Sequence, residues 1–377
     1  MAFMLKLKKL LKLVSISFFC FLLWVAFFLI YFKKNSNLLE AISYPISCDQ
    51  EISYWLNDLL PNFQRNSYKG VQLSYQDKYG NITNCSVGWA SLFPPRRMKN
   101  SDKIMYASIS KIFTSALILN AAQEKKLDIN DNLLEFLDLP NAPSTSFHRI
   151  TIKHLLQHRA GFDRSKSGDL VFTSPNFCQN GLKDIDRLKL DYEPGQGFSY
   201  SNFGYCLLGE IIRKTYDDNL IDIYQKQIFL PAYASISHVK DTQGTVKYFY
   251  SKNDIPLKKE LLNENFTAYG GFVGSTYDYA KAIKFILNDT YIKNKMMDYT
   301  DDCVMHEFYN CHGVAFYTYK EKGKKIAYWR DGSLPGVSSF FMLLEDGSFF
   351  VLLANSRSID SKQDHLELGR KIYKFLQ

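Results

Sequence analysis

The sequence contains no Cys-x-x-Cys pair, and its histidines are not spaced as zinc ligands near the cysteines. It also shows no internal repeat and no segment poor enough in apolar residues to look disordered. A zinc site, a repeat protein and a linker-rich chain are therefore not expected. With 377 residues, 46% of them hydrophobic, the chain can bury a sizeable core as one large domain or two closely packed lobes.

Acidic residues are missing from the first 34 positions, which carry six lysines. Those lysines account for most of the formal charge of +8, and the rest of the chain carries about +2. A nucleic-acid-binding surface would need a basic patch within the folded domain. The basicity therefore indicates membrane topology, and no nucleic-acid partner is expected.

Residues 13–32 form an uncharged run of 20 residues with lysines on both sides. At about 1.5 Å per residue, a helix of this length spans the roughly 30 Å hydrocarbon core of a bilayer. No Ala-x-Ala-like cleavage site follows the run, and Phe19 precedes Cys20 where a lipoprotein signal needs a small residue. Four lysines before the run and two after it favour a cytoplasmic N-terminus.

These signals predict a single-pass protein of the cell inner membrane, with its main domain in the periplasm or at the cell exterior. The predicted boundaries are a basic cytoplasmic stub at 1–12, a transmembrane signal anchor at 13–32, a stalk and helix at 33–65, and the main domain at 66–377. Four Asn-x-Ser/Thr triplets would permit glycosylation in a eukaryotic secretory pathway, but such triplets are frequent by chance in an Asn-rich chain. We therefore retain the interpretation of the chain as a bacterial protein, which the inner-membrane topology implies.

Seven cysteines are present, and Cys20 lies within the predicted span. The other six are an even number, which permits disulfide pairing without fixing it. They are Cys48, Cys85, Cys178, Cys206, Cys303 and Cys311. The alternative is that they are free core residues, and Cys206 in the apolar stretch YCLLGEII is typical of one.

Strand patterns occur at both ends of the main domain. GVQLSYQDKYGNITNCSVGWA reads as a hairpin near the start, and four strands joined by tight turns precede a final helix at 361–377. The long middle region mixes helical segments with Gly and Pro. The prediction is an α+β fold in which N- and C-terminal strands form one antiparallel sheet, with flanking helices and an inserted helical lobe.

Ser108 and Lys111, in YASISKIFTSALIL, open an apolar helical segment. Residues three apart share a helix face, and a lysine desolvated at an apolar helix end can lose its proton and act as a base. The spacing alone is weak evidence, because Ser237 and Lys240 share it. An N-cap serine beside a solvated lysine is the alternative.

A second candidate is Tyr200-Ser201-Asn202, which lies between a Pro-Gly turn and an apolar helix. The tyrosine can relay a proton and the asparagine can hydrogen-bond an amide, although a polar cap on that helix is the alternative. A third is Arg330-Asp331-Gly332-Ser333 at a strand end, where glycine permits close approach of a substrate. A plain turn between two strands is the alternative there.

The three candidates resemble the motifs of the serine beta-lactamase and penicillin-binding superfamily, which follow in the same order: serine-lysine, tyrosine-asparagine and cation-x-glycine. The tyrosine in the second motif makes the set similar to that of the class C branch. ITIKHLLQHRAGF and FFVLLAN are similar to further segments of that branch, so the resemblance covers about 68–377. It implies a beta-lactamase/transpeptidase-like fold with no metal or organic cofactor. It also implies that Ser108 attacks a carbonyl and that Lys111 and Tyr200 relay its proton. Asn202, Arg330, Gly332 and Ser333 would contact the substrate, with the amides of Ser108 and Ser333 as the oxyanion hole.

Two residues depart from the family pattern. Arg330 stands where lysine or histidine is usual, and arginine can bind a carboxylate through two parallel hydrogen bonds but cannot serve as a base. Asp331 adds negative charge beside the expected site, which weakens the case for efficient beta-lactam hydrolysis. The sequence thus predicts a membrane-anchored serine hydrolase acting on D-alanyl peptides of peptidoglycan or other small amides. An esterase of the same fold and a catalytically inert sensor or binding domain are the alternatives.

Overall fold

The computed structural model describes residues 17–27, 44–49, 53–139, 146–166, 169–173, 178, 189–241, 246–299 and 304–377. Residues 46–377 form one compact unit, and residues 1–45 form a separate one. The predicted domain boundary at residue 66 therefore falls inside the larger unit.

Of the predicted membrane span at 13–32, residues 17–27 lie within the described residues, and these residues are helical. Among the helices that the structure describes, none combines the length and the apolar character needed to cross a membrane.

The larger unit contains an eight-stranded antiparallel sheet and a small sheet of three strands. The main sheet has the order β1-β3-β2-β11-β10-β9-β8, with β4 paired to β3, and the small sheet has the order β5-β7-β6. The strands are β1 (Ile46–Cys48), β2 (Gly70–Gln76), β3 (Ile82–Leu92), β4 (Pro95–Arg97), β5 (Ile104–Met105), β6 (Ser237–His238), β7 (Phe272–Gly274), β8 (Tyr317–Tyr319), β9 (Ala327–Leu334), β10 (Val337–Leu344) and β11 (Phe349–Ala354). Because β2 pairs with β11, the two ends of the domain meet in the centre of the sheet, as predicted.

The α-helices delimited within the larger unit lie mostly between the two groups of strands. They are α1 (Ser53–Arg65), α2 (Lys111–Gln123), α3 (Leu133–Phe136), α4 (Ile152–Leu156), α5 (Leu170–Thr173), α6 (Asn202–Tyr216), α7 (Leu220–Tyr224), α8 (Thr276–Leu287), α9 (Thr290–Met297) and α10 (Ser361–Leu376). The predicted hairpin, the C-terminal meander and the final helix are all present.

Alternate residues of β11 point to opposite faces of the sheet. Phe350 packs against Trp55 of α1, with ring centroids 5.4 Å apart, and α10 packs on α1 along the same face. Phe349 contacts Phe341 on the other face, where α8 also packs. The helical lobe contributes to the core on that second face, and α2, nearly all of whose side chains are buried, runs through it.

Disulfides correct the expectation for one cysteine. Cys206 is bonded to Cys178 rather than free, and Cys48 is bonded to Cys85, which ties β1 to β3. Cys311 is also disulfide-bonded. Cys303 lies outside the described residues. The buried position of Cys206 was predicted correctly, but hydrophobic surroundings do not distinguish a free thiol from a bonded one.

Candidate active site

Ser108 lies in a short 3-10 turn, Ala107–Ser110, that leads directly into α2. The residue before the serine, Ala107, has a φ of 49°, a left-handed conformation that is strained for a residue other than glycine. Ser110, not Ser108, occupies the N-cap of α2, so the capping alternative does not apply to Ser108. The turn carries the Ser108 hydroxyl to within 3.3 Å of Lys111 Nζ.

Lys111 is fully buried at the start of α2. Its ammonium group donates to Asn202 Oδ1 and to the carbonyl oxygen of Tyr269, each at 2.7 Å. Burial, followed by the charge of Arg330, lowers the pKa of Lys111 well below its usual value. A neutral amine beside a serine hydroxyl can accept its proton, which is the property that a general base needs.

Tyr200 and Asn202 flank the start of α6. Ser201 between them is the N-cap residue, and its hydroxyl accepts from the Gly204 amide. The capping function thus belongs to Ser201, which leaves the Asn202 amide group free to bond with Lys111. The Asn202 Nδ2 donates to Asp169 at 2.5 Å, so both ends of this buried side chain have partners.

The Tyr200 ring lies beside Lys111, with Nζ 5.0 Å from its centroid, and the hydroxyl oxygen is buried. Burial raises the pKa of Tyr200, while the nearby Arg330 guanidinium and Ser108 hydroxyl act to lower it. The tyrosine therefore remains protonated at neutral pH and can donate a proton to a leaving group.

Gly332 brings β9 against the catalytic turn. A Cβ at this position would lie 2.7 Å from the Ser108 backbone nitrogen and 2.3 Å from Ser339 Oγ, so no larger residue fits without movement. Ser339, paired with Gly332 across β9 and β10, donates its hydroxyl to the Tyr106 carbonyl and so fixes the same turn. Ser333, the next residue of β9, lines the same cavity as Ser108.

Arg330 differs from its predicted role as a substrate contact. Its side chain is fully buried. Nε donates to the Ser108 carbonyl at 3.1 Å, and Nη1 donates to the Ala315 carbonyl at 2.8 Å. Nη2 lies 3.0 Å from His158 Nε2. The guanidinium thus supports the catalytic turn from behind and presents no exposed surface to a substrate carboxylate.

Asp331 also differs from expectation, because it does not place its charge beside Ser108. Its carboxylate accepts from Tyr309 Oη and pairs with His365 Nδ1, each at 2.9 Å. Burial alone would raise the pKa of Asp331, but the contacts with His365, the Tyr309 hydroxyl and the Arg330 charge together hold the pKa below its ordinary value. Because successive residues of a strand point to opposite faces, Arg330 faces the catalytic turn and Asp331 faces α10.

A cavity of about 450 Å³ opens in front of Ser108. Asn202, Tyr269 and Ser333 line it, and apolar side chains form much of its wall. These apolar residues are Phe172, Leu257, Leu261, Phe266 and Leu334. Within the described ranges, no group of three or more His, Cys, Asp or Glu side chains is placed to hold a metal ion.

Sequence reasoning missed three side chains of this site. Asp169 holds Asn202, His158 contacts Arg330, and Arg164 lies over the Tyr200 ring at 4.8 Å. Arg164 and Asp169 carry no local sequence signal, since only the fold brings them to Tyr200 and Asn202. His158 does lie in the family-like segment ITIKHLLQHRAGF, and its place in that segment is the sequence signal that could have identified it.

The structure brings together a serine, a lysine, a tyrosine and a close-packed strand, an arrangement typical of acyl-serine enzymes. The beta-lactamase family model matches residues 56–373, and the chain therefore belongs to the beta-lactamase family.

Comparison with individual proteins agrees with this membership. A FimD-type fimbrial assembly protein of Dichelobacter nodosus, serogroup D, is 29% identical over 353 residues, which cover 90% of this chain and 82% of that protein. The octameric penicillin-binding protein homologue from Pyrococcus abyssi has a TM-score of 0.69 at 21% identity, covering 85% of this chain and 78% of its own. A D-amino acid amidase from Ochrobactrum anthropi has a TM-score of 0.69 at 18% identity, covering 86% and 98%. At these identities the two solved structures show a shared fold.

Proposed function

We propose that this protein is a serine hydrolase that acts through an acyl-serine intermediate. The observation that carries the proposal is the buried Lys111, whose lowered pKa suits a base and whose amine lies 3.3 Å from the Ser108 hydroxyl. A fully buried lysine without a carboxylate hydrogen-bonded to it is costly to maintain in a merely structural role. Its presence beside a serine on a strained turn therefore favours catalysis.

The reaction follows from the positions of these groups. Lys111 accepts the Ser108 proton as Oγ attacks the substrate carbonyl carbon, and the amides of Ser108 and Ser333 stabilise the resulting oxyanion. Tyr200 donates a proton to the leaving group as its bond to the carbonyl carbon breaks. Water then attacks the Ser108 ester, with the same lysine and tyrosine returning the protons.

We propose D-alanyl peptides and related amides of the cell envelope as the substrate class. A fold shared with a D-amino acid amidase and a penicillin-binding protein homologue supports this class by analogy. The uncharged run at residues 13–32 supports attachment to the inner membrane with the catalytic domain outside. An alkaline-phosphatase fusion at the C-terminus tests this topology, since an inactive fusion would contradict an external domain.

The substrate class is tested by measuring hydrolysis of nitrocefin, a D-Ala-D-Ala peptide and a nitrophenyl ester side by side. Release of D-alanine that is lost in the Ser108→Ala variant supports the proposal. Turnover of the ester alone, with labelling by a fluorophosphonate but not by a fluorescent penicillin, would favour the esterase. If neither probe labels the folded protein, the domain is an inert sensor and the proposal fails.

A second candidate substrate is a fimbrial subunit, which the similarity to a fimbrial assembly protein over 90% of this chain favours. The chemistry at Ser108 would be unchanged, and only the acyl donor would differ. Replacing the chromosomal gene with a Ser108→Ala allele and counting surface fimbriae by electron microscopy tests this candidate. Normal fimbriation in that strain would exclude a catalytic role in assembly.

A further inference from the structure

The hairpin formed by β3 and β4 extends beyond the strand beside it. β3 pairs with β2 only as far as Gly88, and its last residues pair with β4 instead. At the tip of this hairpin Phe93 is 85% exposed and Leu92 is 47% exposed, and two exposed prolines follow them. Single exposed apolar residues are ordinary, but four in succession at the tip of a hairpin indicate a contact surface.

The backbone of this tip suits an apolar medium. Pro94 and Pro95 have no N–H group, so neither residue leaves a donor unpaired. The Phe93 carbonyl accepts from Ser91 Oγ at 3.2 Å and from Lys247 Nζ at 2.5 Å. Unpaired backbone groups are what makes most loops costly to place in a bilayer. The cost of inserting this tip is therefore low for a loop.

The charge around the tip is of one sign. Residues 86–101 include three cations and no acidic residue. Arg96 is paired with Asp102, and the other cations of the hairpin region, Arg97, Lys99 and Lys247, are exposed. An apolar tip with exposed cations on its flanks complements a surface of anionic lipid headgroups above acyl chains.

The chain enters the compact unit at the same end of β3. β1 is antiparallel to β3, with Ile46 opposite Val87, so the N-terminal end of β1 lies toward the end of β3 that carries the hairpin. The uncharged run at 13–32 precedes β1 in sequence. Attachment through that run, as proposed above, would therefore tether the domain by the end that carries the hairpin.

We propose that the β3–β4 hairpin is a docking site for a bilayer that contains anionic lipids, with Leu92 and Phe93 inserted and the flanking cations on the lipid phosphates. A tip of two apolar side chains is small beside the roughly 800 Å² that each partner buries in a stable protein interface. Insertion into a bilayer requires only an apolar tip with its backbone groups satisfied. The contact orients the domain, and it goes beyond the reaction proposed at Ser108.

The test uses the full chain reconstituted into vesicles of phosphatidylcholine with or without phosphatidylglycerol. Phe93→Trp places a fluorophore at the tip, and the emission of the wild-type protein is subtracted to remove that of the four native tryptophans. Lipids brominated in their acyl chains quench a tryptophan that lies within the bilayer. Tyr79→Trp is the matched control, because Tyr79 is 78% exposed in the turn at the opposite end of β3.

A second pair of variants tests the charge. In the Phe93→Trp chain, Arg97→Gln combined with Lys99→Gln should lower the ratio of inserted to free tips by about 25-fold, which is about fivefold for each cation. Lys322→Gln combined with Lys324→Gln is the control, because both lysines are exposed in the turn between β8 and β9, at the far edge of the main sheet. That combination should leave the quenching unchanged.

Quenching of the Phe93→Trp emission in anionic vesicles, with the Tyr79→Trp emission unquenched, supports the docking site. Equal quenching in these two variants, no quenching in either, or quenching that does not depend on the anionic lipid would overturn it. An emission that shifts with protein concentration but is not quenched by brominated lipid would show that a second copy covers the hairpin, and the assignment would fail.

Labelling of Ser108 by a fluorophosphonate separates this proposal from the proposed function. Every variant should be labelled like the wild-type protein, because the hairpin does not line the catalytic cavity. A labelled protein that does not dock leaves the hydrolase intact and overturns the docking site. A protein that docks but is not labelled counts against the hydrolase alone.

Discussion

At the residue scale, two buried cations beside Ser108 have opposite chemical uses. Lys111 can become neutral, because burial opposes its charge and the cation of Arg330 adds to that effect. Arg330 cannot release its proton, and it is stabilised instead by carbonyl oxygens and a histidine. The lysine is therefore the base, and the arginine is the support that holds the catalytic turn in place.

Lys111→Met should lower the rate of Ser108 acylation by about 10²- to 10⁴-fold, the usual contribution of a general base. In the wild-type protein the rate should rise with pH as Lys111 loses its proton. Since the pKa of Lys111 lies well below its ordinary value, this rise should level off well below pH 10.5. Stopped-flow acylation by a nitrophenyl ester across the pH range measures both effects.

Lys126→Met is the control for this experiment, because Lys126 is exposed beyond the end of α2. That variant should retain wild-type rates and the wild-type pH profile. A wild-type rate that continues to climb through pH 10.5 would show that Lys111 is not the base.

Gly332→Ala should slow acylation by at least about 100-fold, the usual cost of losing an oxyanion-hole donor. The added methyl would lie 2.7 Å from the Ser108 nitrogen and would displace either the turn or β9. Gly197→Ala is the matched control, because a Cβ there meets its nearest neighbour at 3.9 Å. Equal acylation rates in the two variants would contradict the proposed contact between β9 and the turn.

At the element scale, the alternation of β9 decides the roles of its residues. Arg330 and Asp331 are neighbours in sequence, yet they serve opposite faces of the sheet. The sequence allowed β9 and its turn to be predicted, but Arg330 was assigned to the substrate and Asp331 was expected to place its charge beside the site. The face to which each side chain points depends on the pairing of β9 with β10 and on the packing of α10 against the sheet. The residue pattern of a single strand carries no information about either.

Arg330→Met should reduce the free energy of unfolding by about 3–5 kcal/mol, because it leaves the part-buried carbonyl group of Ser108 and the buried one of Ala315 without their donor. Urea unfolding followed by tryptophan fluorescence measures the change. Arg97→Met, at an exposed site, should remain within about 0.5 kcal/mol of wild type. A stable Arg330→Met protein with higher activity on carboxylate substrates would contradict a supporting role.

The predicted hairpin and C-terminal meander were confirmed because their strands alternate and end in tight turns. The small sheet of β5, β6 and β7 was not predicted. Its two- and three-residue strands carry too few positions for a period to show, and each pairs with a segment distant in sequence.

At the scale of the whole molecule, the two ends of the domain are joined in one sheet. The α+β architecture could be predicted because strand patterns cluster at both ends of the sequence. The start of the compact unit could not be predicted, because β1 has only three residues and is held by pairing with β3 and by the Cys48–Cys85 disulfide. The helix at 53–65 was expected outside the domain, yet Trp55 packs into the sheet face.

Replacing both Cys48 and Cys85 by alanine should lower the free energy of unfolding by about 3–4 kcal/mol, the value for a closed loop of this length. Denaturant unfolding of the purified protein measures the loss. Cys20→Ala, at an exposed free cysteine, should leave stability unchanged. Equal stabilities would show that β1 does not depend on the disulfide.

The central claim is that Ser108 is the nucleophile of an acyl-serine mechanism, and intact-protein mass spectrometry after mixing with a fluorophosphonate, which loses fluoride as the serine oxygen bonds to phosphorus, tests it most directly. The account predicts one adduct on the wild-type protein, located by peptide mapping at Ser108, and none on a folded Ser108→Ala variant. An adduct of equal yield on Ser108→Ala, or no adduct on the wild-type protein with either the fluorophosphonate or a fluorescent penicillin, would contradict the claim.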